Sequence, residues 1–321
     1  MNKLNEISNK RTLGIHHITA IVGNPQENID FYAGVLGLRM IKQTVNFDDP
    51  GTYHLYFSDG ISKPGTVITF FPWNDASKGV IGGGQVGVTT YAIPKGAMTF
   101  WEERLKKFEI DFQKTSRFGE EYIQFKDFHG LNLELVERDR GEINTWKVSD
   151  ITPEVAIKGF GGAILYSTQS DKTAEVLENV MGLEFIGSEG DYRRYQSTAD
   201  LGNVVDLKTT SLEIGKMGVG TVHHIAWRAI DDVDHIEWQT HARKHGYGVT
   251  EVADRNYFKA IYFREHCKIL FEIATDGPGF ARDEPIETMG QKLMLPPQYE
   301  NLRNQLGEIL IPIEVKELGK L

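Results

Sequence analysis

Four stretches of this sequence follow one order of elements: an apolar strand, an amphipathic helix, then three further strands. This weak internal repeat decides the expected fold. The first stretch runs from about residue 14 to 73. Its helix is expected at 27–36, after Asn24-Pro25, with Phe31, Val35 and Leu38 on one face. Leu36-Gly37-Leu38 ends that helix, the glycine acting as a C-terminal stop. Strands are expected at 39–46, 54–58 and 66–71. The second stretch, about 87–137, has a helix at 97–108 that turns Phe100, Leu105 and Phe108 inward, and closing strands at 122–126 and 131–136. The third opens on Gly159-Phe160-Gly161-Gly162-Ala163-Ile164-Leu165-Tyr166. Its helix at 172–181 ends in Met181-Gly182-Leu183, and strands follow at 192–197 and 203–209. The fourth spans 221–280, with a helix at 232–245 ended by Gly246. The reading is α+β, with four βαβββ modules in two domains. Residues 1–150 hold two modules and 151–282 the other two. A polar linker at 146–158, carrying Pro153, joins them. Residues 283–321 break the repeat and are expected to pack on the domains as a tail, with a helix at 299–309.

Bulk properties exclude several functions. The 321-residue chain has a formal net charge of −10 and no basic stripe, which argues against a nucleic-acid partner. No apolar run approaches the ~20 residues that span a bilayer. Residues 1–11 are polar and lack the apolar core of an export signal, so a cytoplasmic location is expected. The single cysteine, Cys267, rules out an internal disulfide and a cysteine-based zinc site.

Chemistry gathers at the outer modules. Module one begins Gly14-Ile15-His16-His17-Ile18-Thr19-Ala20, and module four begins Thr221-Val222-His223-His224-Ile225-Ala226-Trp227. Module four closes on Lys268-Ile269-Leu270-Phe271-Glu272-Ile273-Ala274, where one carboxylate stands among apolar neighbours. Such an acid is costly unless it is paired or binds a metal. Two histidines and one carboxylate on buried strands suggest a facial triad with open coordination positions, as in non-haem Fe(II) oxygenases. Taken singly, a strand histidine is more often a satisfied core residue, and Glu272 could pair with a buried arginine. Correspondence between modules lifts the set. The first strands of modules two and three carry no histidine, so Glu134 and Asp206, placed like Glu272, read as relics or structural acids. The stretch 66–71 is uncharged, so module one offers no second carboxylate. Adjacent strand residues face opposite ways, so only one histidine of each doublet can reach a common metal, and spacing does not choose which. The other member then faces away unless a bulge intervenes. His129, His235, His241, His245 and His266 fall in turns or helices and read as solvated; His54 starts a strand.

The fourfold βαβββ order, with histidine early in the first strand and glutamate late in the last, resembles the vicinal-oxygen-chelate superfamily of glyoxalase I, extradiol dioxygenases and fosfomycin-resistance transferases. The doublets, together with Asn46-Phe47-Asp48-Asp49-Pro50, Phe70-Phe71-Pro72-Trp73 and Leu293-Met294-Leu295-Pro296, are similar to the hydroquinone ring-cleaving dioxygenases. That subfamily includes bacterial proteins that detoxify methylhydroquinone. The resemblance implies paired modules curving into cup-shaped half-barrels, with modules one and four facing each other across the metal. It implies His17, His224 and Glu272 as ligands of Fe(II), with Mn(II) possible on the same set. His16, His223, Arg255 and Tyr262 are implied as catalytic groups around the metal or against the substrate. Arg255 also reads as a turn charge and Tyr262 as core. The implied activity is cleavage of a hydroquinone-type or catechol-type ring with O2, and the implied partners are a small aromatic substrate, O2 and a possible homo-oligomer. The alternatives are a glyoxalase-like lyase or thiol transferase on the same scaffold, and a non-enzymatic module that binds an aromatic ligand.

Overall fold

The computed structural model describes residues 10–315. The polar start at 1–11 is therefore covered only from Lys10, and the tail only to Val315.

Module one comprises β1 (Ile15–Val22), α1 (Pro25–Ile29), β2 (Arg39–Val45), β3 (Tyr53–Ser58) and β4 (Val67–Pro72). Module two comprises β5 (Gln85–Ile93), α2 (Met98–Lys107), β6 (Phe112–Arg117), β7 (Glu120–Lys126) and β8 (Asn132–Glu137). Module three comprises β9 (Gly159–Tyr166), α3 (Ser170–Glu175), β10 (Glu184–Glu189), β11 (Tyr192–Gln196) and β12 (Val204–Lys208). Module four comprises β13 (Thr221–Ala229), α4 (Asp232–Lys244), β14 (Ala253–Asp254), β15 (Phe258–Arg264) and β16 (Leu270–Pro278).

Asn24 starts α1 by accepting from the amides of Gln26 and Glu27, with Pro25 at the first helical position. The helices at 27–36 and 172–181 are not single α-helices as expected. Each passes into a wider turn, at Asp30–Val35 and Val176–Val180. There the amides of Leu36 and Met181 bond back five residues, to Phe31 and Val176. The chain then reverses at Gly37 and Gly182, whose φ of 68° and 67° suit glycine. In the tail, Pro297–Leu302 forms a 3₁₀ turn before α5 (Arg303–Ile309), so the expected helix is true α only in its second half.

Two eight-stranded sheets result, curled into half-barrels. The first runs β14-β15-β16-β13-β1-β4-β3-β2, and the second β10-β11-β12-β9-β5-β8-β7-β6. The first sheet joins modules one and four through the antiparallel β1–β13 pair; the second joins modules two and three through β5–β9. The division at residue 150 thus follows the chain and not the sheets. Both sheets share one hydrophobic core that includes Ile15, Trp101, Phe160 and Trp227. A smaller apolar cluster, with Tyr56, Val67, Ala226 and Phe258, lies in the first sheet. The tail is tied to module one. The fully buried Lys42 places its ammonium against Asp283 and Glu284, and Leu295, Leu306 and Leu310 join the main core. Among the described residues no helix is long and apolar enough to cross a membrane.

Candidate metal centre

The register of the central strand pair shapes the site. Ile15 pairs with Trp227 and His17 with Ala226, which leaves His16 as an extra residue in β1. Thr19 pairs with His224 and Ala20 with Val222, which leaves His223 as an extra residue in β13. Each first histidine of a doublet therefore sits on a β-bulge, and the bulges are related by the pseudo-symmetry of the modules. The second histidines aim at one point. His17 Nε2 and His224 Nε2 are 3.3 Å apart. Glu272 Oε2 lies 3.5 Å from the first and 2.8 Å from the second. All three residues are buried, and their ligand atoms lie within 4.8 Å of one another.

The charge balance fits a cation. Neither carboxylate oxygen of the fully buried Glu272 receives a hydrogen bond of proper geometry, although His224 Nε2 is close. Glu272 has no arginine partner among the described residues, so the arginine-paired alternative fails. Burial alone would raise the Glu272 pKa, but the imidazoles of His17 and His224 hold it well below the usual carboxylate range. Burial lowers His224, with Glu272 acting the other way. A neutral imidazole at His224 and an ionised acid at Glu272 are the states metal binding requires. These residues fit a single divalent metal ion.

Each doublet also fixes its own ligand. His16 Nδ1 lies 2.9 Å from His17 Nδ1, and His223 Nδ1 lies 2.8 Å from His224 Nδ1. A ligand imidazole that presents Nε2 to the metal carries its proton on Nδ1 and donates it to the first histidine. This bond sets tautomer and ring orientation. The bulges resolve the pleat problem differently for the two partners. His16 is buried outside the cavity, and burial, then His17, lowers its pKa well below the ordinary value. His223 lines the cavity, and burial, helped by His224, lowers it to about 3.

The cavity above the triad has a volume of about 380 Å³. Phe47, Phe71, Trp73 and Phe258 form its apolar walls; Phe71 stacks on Trp73 and meets His223 edge-on. Tyr262 and Arg255 both line it, so neither is merely core or a loop charge. Tyr262 pairs with Glu272 in the β15–β16 register. Burial, with the Glu272 charge adding to it, pushes the Tyr262 phenol up. Arg255 Nε donates to the Tyr262 oxygen at 3.2 Å, and its Nη1 lies 3.1 Å from Asp48 on module one. Burial alone would lower the Arg255 guanidinium, but Tyr262 and Asp48 outweigh it and hold it higher than usual.

Sequence reasoning missed several lining residues. His54 and Tyr56 stand two apart on β3 and face the cavity together; that spacing was visible, but nothing marked the strand as facing a site. The loop residues Asn46, Asp48 and Asp49 also line it. The solvated reading fails for three histidines. His129, His235 and His241 are buried, and the last two place Nε2 at 2.9 Å and 3.0 Å from the carbonyls of Ile273 and Val180. Their helix or turn packs inward on apolar neighbours, which a charge-based reading of surface helices overlooks. Glu134 and Asp206 are structural acids. Arg117 spans them, with Nη2 2.7 Å from Glu134 and Nε 2.6 Å from Asp206, and Arg194 adds a second contact to Asp206.

Comparison with known proteins agrees with this geometry. The model for the Glyoxalase/Bleomycin resistance protein/Dioxygenase superfamily matches residues 14–135 and 159–273. MhqO of Bacillus subtilis (strain 168), provisionally named a ring-cleaving dioxygenase, is 67% identical over 309 residues, 96% of this chain and 99% of that protein. The chlorohydroquinone/hydroquinone 1,2-dioxygenase of Sphingobium indicum is 31% identical over 309 residues, 92% of this chain and 95% of that protein. A crystal structure from Bacillus subtilis, provisionally titled a dioxygenase, superposes with a TM-score of 0.95 at 67% identity, covering 96% of this chain and 100% of that one. The chain belongs to the Glyoxalase/Bleomycin resistance protein/Dioxygenase superfamily.

Proposed function

We propose that the protein is a metal-dependent ring-cleaving dioxygenase acting on hydroquinone-type aromatics, with His17, His224 and Glu272 holding Fe(II). The observation that carries this reading is the convergence of two imidazoles and one otherwise unpaired carboxylate beneath an aromatic-walled cavity. Three protein ligands leave coordination positions open for substrate and O2. Register supports the count of three. Thr69 pairs with Thr19 on β1 as Glu272 pairs with Ala226 on β13, so a threonine stands where a second carboxylate would make a four-ligand isomerase site. The names of the relatives point the same way.

Bound Fe(II) would supply O2 activation and a Lewis acid for one substrate hydroxyl. The protein side chains do the rest. Phe71, Trp73 and Phe258 give the ring apolar walls and exclude water. Tyr262 orients the substrate oxygen beside the metal, and the Arg255 guanidinium stabilises negative charge that develops there. His223, held neutral in the cavity wall, accepts at Nδ1 from His224, so its own proton sits on Nε2 and can be donated to an oxygen in the cavity. His16 touches neither substrate nor cavity; it positions His17. Mn(II) fits the same ligands. The proposed location is the cytoplasm, where the single buried Cys267 needs no disulfide partner.

The test is an oxygen electrode. Protein loaded anaerobically with Fe(II) is expected to consume O2 with methylhydroquinone, and catechol serves as the comparison compound. No uptake with either, on iron-replete protein, contradicts the proposal.

A further inference from the structure

Two cavity-lining side chains of module one, His54 and Tyr56, have no task in the reaction described above. The Tyr56 hydroxyl lies 2.8 Å from His54 Nδ1, and His54 Nε2 lies 2.8 Å from Thr69 Oγ1. Thr69 Oγ1 is 2.8 Å from Thr19 Oγ1. The donors in this chain can point either way. If Tyr56 donates to His54, then His54 donates to Thr69, and the Tyr56 oxygen is left to accept from the cavity. If Thr69 donates to His54, then His54 donates to Tyr56, and the phenol proton is left to donate into the cavity. Both arrangements keep every group neutral, and the His54 tautomer selects between them. Burial, with Tyr257 and Glu272 adding to it, holds the Tyr56 phenol well above its ordinary range, so it keeps its proton.

Position makes this phenol more than a core tyrosine. Tyr56 pairs with Thr69 across β3–β4 as Tyr262 pairs with Glu272 across β15–β16. In the sheet order, β3 and β15 stand at matching places on either side of the central β1–β13 pair. The curled sheet thus carries one phenol on each wall of the cavity, at equivalent register positions. A 1,4-diol has its oxygens at opposite ends of the ring and needs a polar partner on both walls. A 1,2-diol presents both oxygens at one end.

We propose that Tyr56 is a further substrate-contacting residue, whose hydroxyl takes the oxygen of a 1,4-diol that the metal does not hold. His54 and Thr69 are the positioning residues behind it, letting Tyr56 accept from a hydroxyl or donate to an oxygen that has lost its proton. The assignment rests on the ring-cleavage reading and adds to it a physical basis for preferring para-diols.

The experiment is anaerobic calorimetric titration of Fe(II)-loaded protein with hydroquinone and with phenol, which lacks the far oxygen. The wild type is expected to bind hydroquinone about tenfold more tightly. Tyr56→Phe should weaken hydroquinone about tenfold and leave phenol within about twofold, erasing the ratio. A ratio unchanged in Tyr56→Phe overturns the proposal. Equal losses for both ligands would put Tyr56 on the metal-held oxygen and overturn the assignment to the far one. Should Tyr56→Phe fail to fold, His54→Gln reads the same ratio, which should shrink. Wild-type protein that binds neither ligand removes the ring-cleavage reading and this proposal together; binding with an unaltered ratio removes this proposal alone.

Discussion

The two sheets share one register and differ in what occupies it. In the first, the bulge residues are His16 and His223; in the second they are Gly87 and Gly161. The residues that follow are His17 and His224 in the first sheet and Val88 and Gly162 in the second. On the last strand of each module the matching positions hold Thr69, Glu134, Asp206 and Glu272. On the strand before it they hold Tyr56, Gln124, Arg194 and Tyr262. A buried acid is thus common to both cups, and its neutralisation is not. Glu134 and Asp206 share Arg117, whereas Glu272 faces two imidazoles and, among the described residues, no arginine or lysine. The lesson is that a buried carboxylate alone does not report a metal site in this fold. The discriminating feature is the residue on and after the bulge, together with the absence of a guanidinium.

The largest expected contrast lies between two matching substitutions. Glu272→Gln should lower turnover by more than about 10³-fold, since a metal contributes several kcal/mol to such chemistry. It should cost the metal-free protein far less stability than Glu134→Gln, because it strands no guanidinium. Glu134→Gln should do the reverse. It removes one of the two buried carboxylates that Arg117 spans, leaving the interior with one uncompensated positive charge, and should cost about 3–5 kcal/mol of stability, while turnover per folded molecule stays near wild type. Thermal melts and initial rates of O2 uptake on both variants check the pair. Equal effects would erase the distinction between the cups.

A smaller effect is expected at the bulge of the first sheet. His16→Asn should weaken metal binding about 10–100-fold by removing the ring nitrogen that orients His17. Competition with a metal-sensitive dye measures it. Loss of stability without loss of metal affinity would make His16 merely a core residue. Smallest is the corresponding change in the second sheet. A Cβ at Gly87 would lie 2.4 Å from the Tyr166 ring, so Gly87→Ala should cost about 1–3 kcal/mol and leave metal affinity unchanged. A denaturant midpoint reads this change.

How much of this was legible in the sequence follows from the same positions. The module order, the doublets and Glu272 could be read, because apolar periodicity and matched spacing survive in the chain; the facing of modules one and four followed from the ligand set that the resemblance implies. The bulges could not, since the extra residue in a strand shows only when its partner is known. Nor could the neutralisation of Glu134, because Arg117 lies on β6, a strand whose alternation of polar residues gave no sign of facing a buried acid. The cavity wall at His54 and Tyr56 stayed hidden for a related reason: which face of β3 looks into the cup is set by sheet curl.

The central claim is that His17, His224 and Glu272 share one metal ion. Anaerobic titration with Fe(II), followed by elemental analysis of the washed protein, tests it most directly. The account predicts one metal per wild-type chain, one per chain in Glu134→Gln, and almost none in Glu272→Gln. Wild-type protein that retains no metal, or Glu272→Gln that retains as much as wild type, would contradict it.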